Sequence, residues 1–197
     1  KNKNHMRDFI PQIEPWIDDN ELKHLKRVID STYVVEHELT KEFESVVREY
    51  TGAKHAIAMT NGTMALYSCL LALGLKPGDE VIVPNLTFIA SSNAVIMANG
   101  TPVLCEVDPN TLCIDPEKLE ECITDKTKII MPVHLYGQSA DMYKILEIAK
   151  PTNMPNVPTT IYIIFSLFLA SSTLTTFFFV FFRDGGGQRV SHNTFYS

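Results

Sequence analysis

The feature that most constrains the fold is a set of short, unbroken apolar runs, "HAIAM", "VIVP", "PVLCEVD" and "KIIMPV", separated by segments with helical spacing. A strand with one wet face alternates apolar and polar residues, whereas a run that is apolar at nearly every position is buried on both faces. The intervening segments have the lengths of crossover helices. Over residues 39–52, Leu39, Phe43, Val46, Val47 and Tyr50 fall at steps of three and four and the stripe closes at Gly52. Residues 63–73 are apolar nearly all round, as in a buried helix. "KPGDE" sets Pro77-Gly78 at the central positions of a type II turn. A further helix is expected over residues 90–99, with Gly100 as its left-handed stop. Another is expected over 116–122, with Asp115 as N-cap and Pro116 at the first helical position, and a last one over 141–150. This alternation predicts an α/β fold, a parallel or mostly parallel sheet with helices on both faces.

Ligands of such sheets bind beyond the carboxyl ends of the strands. Three loops are expected there: "TNGT", "PNLTF" and "HLYGQ". In the first, Asn61, Gly62 and Thr63 open a helix. They offer converging backbone N–H groups at its positive end, plus a hydroxyl, which suits a phosphate dianion; a plain capped turn is the alternative. The stretch is neither a Walker loop nor G-x-G-x-x-G, so triphosphate and dinucleotide binding lose support. It also fits the N-glycosylation sequon, which is idle at the entry to a buried helix of a cytosolic chain. Phe88, one loop away, either stacks on a flat heterocycle or fills the core.

Charge and cysteine usage remove other classes. The net charge of −6 points to neither nucleic acid nor an anionic membrane surface. Cys69, Cys105, Cys113 and Cys122 form no C-x-x-C pair and the histidines no H-x-x-x-H, so no metal site is expected and a reducing, cytoplasmic setting is the default. Cys69, flanked by apolar residues, reads as core filler.

The series from "NGTMALYSCLLALGLKPGDEVIVPNLTFIASSNA" through "KIIMPVHLYGQSADM", with the opening "FIPQIEPWIDDNELKHLKRVIDSTYV", resembles the DegT/DnrJ/EryC1/StrS family of pyridoxal-phosphate sugar aminotransferases over residues 9–150. The resemblance implies a fold-type I transferase large domain and a homodimer. It also implies transfer of an amino group, commonly from glutamate, to a keto group on a nucleotide-linked deoxysugar, as in polysaccharide biosynthesis. By the same carry-over Gly62 and Thr63, beside Asn61, hold the phosphate of pyridoxal 5'-phosphate, and Phe88 stacks on its ring. His134 is a supporting residue near the site or a satisfied structural histidine.

The family chemistry also needs a lysine that forms a Schiff base and an acid that keeps the ring nitrogen protonated. Both are expected downstream of "VHLYG", and neither is recognisable: the last lysine is Lys150 and the only later acid is Asp184. No catalytic residue is therefore assigned, and the chain is expected not to turn over. A dehydratase of this family would carry His in place of the lysine, but His192 has no matching context.

Three segments are expected. Residues 1–8 form a disordered leader without a signal-peptide pattern, in which Met6 is a candidate start; 9–150 form the transferase part; 151–197 form an apolar tail without family pattern. Arg183, Asp184 and Arg189 are the only charged residues after 150, and residues 161–182 run 22 positions without a charge. Three readings of that tail stand open: a shifted or unspliced reading frame, a membrane anchor of about 20 residues, or a diverged pair of core strands. With the anchor, the alternative function is a non-catalytic, membrane-tethered α/β binding module.

Overall fold

The computed structural model describes residues 17–51, 55–149 and 162–163. Helices α1 (Asp19–Ser31), α2 (Glu38–Thr51) and α3 (Gly62–Ala72) lead into strand β1 (Glu80–Pro84), followed by α4 (Ala90–Met97), β2 (Thr101–Cys105), α5 (Pro116–Cys122), β3 (Thr127–Ile130), α6 (Met142–Ile148) and β4 (Tyr162–Ile163). The strands lie in the order β2-β1-β3-β4 and every pairing is parallel.

The period-two geometry of a strand divides the apolar runs between two cores. Val81, Val83, Ile129 and Met131 face α3 and α4, meeting Leu66, Cys69, Leu70, Ala94 and Val95. Ile82 and Ile130 face the other way, meeting Cys105, Leu119 of α5 and Ile145 of α6. Both faces are thus covered, as the unbroken runs predict. Val81, Ile82, Val83, Ile129 and Ile130 are fully excluded from solvent, and each such side chain contributes about 1.5–3 kcal/mol of transfer free energy. Cys69 is core filler in fact: it is buried and its thiol donates to the Ala65 carbonyl.

The path of the chain explains the two layers. From β1 it crosses over α4 to β2 on one side, then returns over α5, past β1, to β3 on the other. Right-handed crossovers running in opposite directions place their helices on opposite faces. The expected turn at Pro77-Gly78 is present, with Gly78 at φ +93° and Asp79 N–H donating to Lys76 O at 3.0 Å. The cap at Asp115 is present too, accepting from Glu117 N–H, and the structure adds one at Asp141, which accepts from Lys144 N–H.

Three local expectations are corrected. "HAIAM" is not a strand: residues 55–59 carry no regular structure, and no described strand lies beside this run. Ile57 is exposed and the Ala58 N–H donates instead to the Glu44 carboxylate at 2.9 Å. Gly100 is not the left-handed stop of α4; Asn99 is, at φ +60°. Gly100 is needed for space, since a Cβ there would come within 2.7 Å of Leu75 Cδ2 and 3.1 Å of Val95 Cγ1. β2 ends at Cys105, short of the full "PVLCEVD" run, because the chain turns there and Val107 pairs antiparallel with Ile114.

Residues 1–8, Lys150, Asp184, His192 and the tail apart from 162–163 lie outside the described residues. Tyr162 and Ile163 continue the sheet, in register with Ile129 and Ile130. Among the described residues no helix is long and apolar enough to cross a membrane.

Candidate anion and ring site at the carboxyl edge of the sheet

Connections leave neighbouring strands β1 and β3 in opposite directions, toward β2 and toward β4. That divergence opens a crevice between the loops that follow them, the switch-point position at which α/β sheets hold ligands. α3 runs back along the sheet before β1, so its N-terminus lies at the carboxyl edge. It packs on Val81, Val83, Ile129 and Met131, over the same two strands.

Asn61 caps α3 with an extended backbone (φ −167°, ψ 170°), and its side-chain oxygen accepts from Met64 N–H at 3.0 Å. The Asn61 carbonyl accepts from Ala65 N–H, the first bond of the helix. The N–H groups of Gly62 and Thr63 belong to the unpaired set that every helix start leaves open, and they meet no acceptor among the described residues. The first turn carries no acidic side chain. Gly62 is buried and Thr63 half-buried, so the donors sit partly shielded from water, with no acid in their own helical turn. Gly62 is not among the glycines at positive φ; the helix start here needs no left-handed backbone.

Phe88 follows β1 in the loop that leads to α4 and is 60% exposed, which removes the reading as a core residue. Its loop is held by Asn85 N–H donating to Cys105 O at 2.8 Å and by the Thr87 and Ser91 hydroxyls, 3.1 Å apart. Thr87 and Ser91 escape a reading based on motifs. The signal available was their four-residue spacing across the start of α4, whose N-cap Ile89 has no side-chain oxygen to offer.

His134 lies in the loop after β3. Its Nδ1 accepts the Ala140 N–H at 3.0 Å, so the neutral ring carries its proton on Nε2. Burial holds its pKa below the ordinary 6.5. The histidine thereby ties the loop ahead of α6. Beside it Tyr136, at φ +51°, and Gly137, at φ +80°, put two consecutive left-handed residues into this edge.

Asn61, Gly62, Thr63, Phe88 and His134 are therefore carried by the three loops at one edge, the first three at a helix start and the others after neighbouring strands. One cavity, of about 360 Å³, opens at the same edge on the face covered by α5 and α6. None of the five residues lines it, and Asp108, Asp115, Glu117 and Asp141 do, so an anion is disfavoured there. The donors suited to an anion are at α3.

The sequence profile of the DegT/DnrJ/EryC1/StrS aminotransferase family matches residues 15–157. GDP-perosamine synthase of Caulobacter vibrioides is 50% identical over 141 residues, covering 71% of this chain and 38% of that protein. The spore coat polysaccharide biosynthesis protein SpsC of Bacillus subtilis is 40% identical over 150 residues, 76% of this chain and 38% of SpsC. NtdA of Bacillus subtilis, solved with bound cofactor PMP, superposes with a TM-score of 0.69 at 40% identity, over 75% of this chain and 35% of NtdA. The chain thus spans less than two fifths of the length of these curated relatives. On this match, and on a parallel sheet layered as in its solved relatives, the chain belongs to the DegT/DnrJ/EryC1/StrS aminotransferase family.

Proposed function

We propose that this chain supplies the phosphate and ring contacts of a pyridoxal 5'-phosphate site in an aminotransferase that acts on a nucleotide-linked keto-deoxysugar during amino-sugar and polysaccharide biosynthesis. The observation that carries it is the start of α3, where two N–H groups and the Thr63 hydroxyl meet no acceptor among the described residues, no carboxylate stands in the first turn, and exposed Phe88 sits on the next loop. Relatives named for GDP-perosamine synthesis and spore coat polysaccharide support the substrate class.

The fit to the cofactor follows from the donors present. Gly62 and Thr63 N–H would take phosphate oxygens, with the α3 dipole favouring the charge. Asn61 keeps the helix start in shape by engaging Met64 N–H. Phe88 would offer a ring face to the pyridine. When bound, the cofactor supplies the electron sink that amino transfer requires. His134 acts at a distance, holding the β3 loop through Ala140. Glutamate as amino donor and a second copy of the chain as partner belong to the same proposal, carried by the resemblance.

The resemblance places the covalent lysine downstream of "VHLYG", and no lysine follows Lys150. These residues are accordingly given noncovalent contacts to the cofactor, in a cytoplasmic setting. Two measurements test it. Spectroscopic titration with pyridoxal phosphate should show saturable binding that inorganic phosphate competes away; binding indifferent to phosphate would refute the assignment of α3. Borohydride reduction with peptide mapping should yield no stoichiometric pyridoxyl-lysine. A single modified lysine would place the covalent residue within this chain.

A further inference from the structure

Cys105, the last residue of β2, and Cys122, the last of α5, come together on the face of the sheet opposite α3. Cys105 is fully buried; Cys122 is half-buried and packs against the same cluster. The Cys122 Sγ lies 4.0 Å from the carbonyl oxygen of Leu104, the peptide group that leads into Cys105. The Cys105 Sγ turns toward α5, 4.0 Å from the Asp115 carbonyl and 3.6 Å from that of Glu106. Burial first, and then hydrogen bonding and charge from the adjacent Cys122 thiol, push the Cys105 thiol up to about 12. Both sulfurs are free thiols. The other two cysteines are engaged elsewhere, Cys69 with Ala65 O and Cys113 with Gln138 O.

We propose that Cys105 and Cys122 are a redox modification site, a dithiol that a low-molecular-weight disulfide converts reversibly to an intramolecular disulfide between β2 and α5. Cys122, the more accessible sulfur, reacts first: its thiolate attacks the small disulfide, forms a mixed disulfide and expels one small thiolate. The Cys105 sulfur then attacks the Cys122 sulfur, expelling the second small thiolate, which takes up the Cys105 proton. Two protein thiols are oxidised to one disulfide while one small disulfide is reduced to two thiols. A thiol as resistant to ionisation as Cys105 is a poor first nucleophile, so oxidation starts at Cys122 and the second step is the slow one. The bridge closes a loop containing the Val107–Ile114 turn and the whole of α5, and fixes that helix to the strand it covers.

The test uses the full chain incubated with oxidised glutathione. Its intact mass should fall by about 2 Da and return on reduction with dithiothreitol, as for one disulfide. Trypsin cuts after Lys118, between the two cysteines, so the peptides carrying them should stay joined until reduced, with fragmentation placing the bridge on Cys105 and not on Cys113. Oxidation should raise the melting temperature of the wild type and leave that of Cys122→Ser, or of Cys122→Ala should the serine variant not fold, unchanged. A persistent glutathione adduct on Cys122, a disulfide-linked dimer, a bridge to Cys113, or four unreacted thiols would each overturn the proposal.

Discussion

Replacing Thr63 with aspartate should move cofactor affinity and fold stability in opposite directions. The side chain stands in the first turn of α3, which carries no acid, beside N–H groups that meet no acceptor among the described residues. A carboxylate there favours the helix dipole by about 0.3–1 kcal/mol, enough to raise the melting temperature by roughly 1–4 °C for a chain of this size. For a bound phosphate the same charge is repulsive. Two unit charges about 4 Å apart at an effective dielectric of ~20 interact by about 4 kcal/mol. Solvent access at half-buried Thr63 cuts that to about half. Loss of the hydroxyl's bond to a charged group adds about 1.5 kcal/mol. The sum, about 3–4 kcal/mol, weakens pyridoxal phosphate binding more than a hundredfold. Equilibrium dialysis against pyridoxal phosphate, and against pyridoxal, which lacks the phosphate, separates this effect from general damage. Thr63→Asp should lose affinity for the first and keep it for the second, with an equal or higher melting temperature by circular dichroism. Equal loss for both ligands, or unchanged affinity for pyridoxal phosphate, would refute the assignment of the phosphate to α3.

Gly100→Ala would drive a methyl group to 2.7 Å from Leu75 Cδ2 and 3.1 Å from Val95 Cγ1, both in the closed core under α4, and should lower stability by about 1–2 kcal/mol in urea denaturation; an unchanged midpoint would show that Leu75 yields freely. His134 is held below 6.5 by burial, so the unfolded chain takes up more protons as pH falls from that value. The stabilisation is complete above about 6.5 and is lost as pH falls toward the folded-state value. His134→Asn keeps an acceptor for Ala140 N–H, so urea midpoints compared at pH 7.5 and 5.5 should drop less in the variant; equal drops would remove His134 as the cause. Phe88→Ala, at an exposed position, should leave the melting temperature within about 2 °C while weakening pyridoxal phosphate binding; a large loss of stability would return Phe88 to the core.

Much of the fold could be read from runs whose neighbours are nearby in sequence. Val81, Ile82 and Val83 declare a strand buried on both faces, and Asp115 with Pro116 declares a helix start, because both signals depend on local geometry. The run at residues 55–59 has the same apolar signature, yet a strand exists only beside another strand, and a sequence window does not show whether a partner lies there. Asn99 and Gly100 exchanged roles for a related reason: either residue tolerates a left-handed backbone, and the choice was made by Leu75 and Val95 crowding Gly100. At the site, the Asn61 cap was legible because its partner is three residues away. The tie from His134 to Ala140 was not, since nothing in the loop sequence directs an imidazole to that amide. Nor was the exposure of Phe88, an aromatic that composition alone would send inside.

The central position of β1 also sets a schedule for synthesis. One edge pairs with β2 through Glu80↔Thr101 to Pro84↔Cys105, so it is satisfied as soon as residue 105 has emerged. The other must wait for Ile129 and Ile130. At ~5–20 residues per second, translation of residues 106–130 takes about one to five seconds. Throughout that interval a strand whose Val81, Ile82 and Val83 are buried in the finished fold presents an open row of peptide groups, together with the underside of a half-built layer. Ribosome-associated chaperones would find their target in this nascent edge, and slowing translation between codons 106 and 130 would lengthen its exposure in direct proportion.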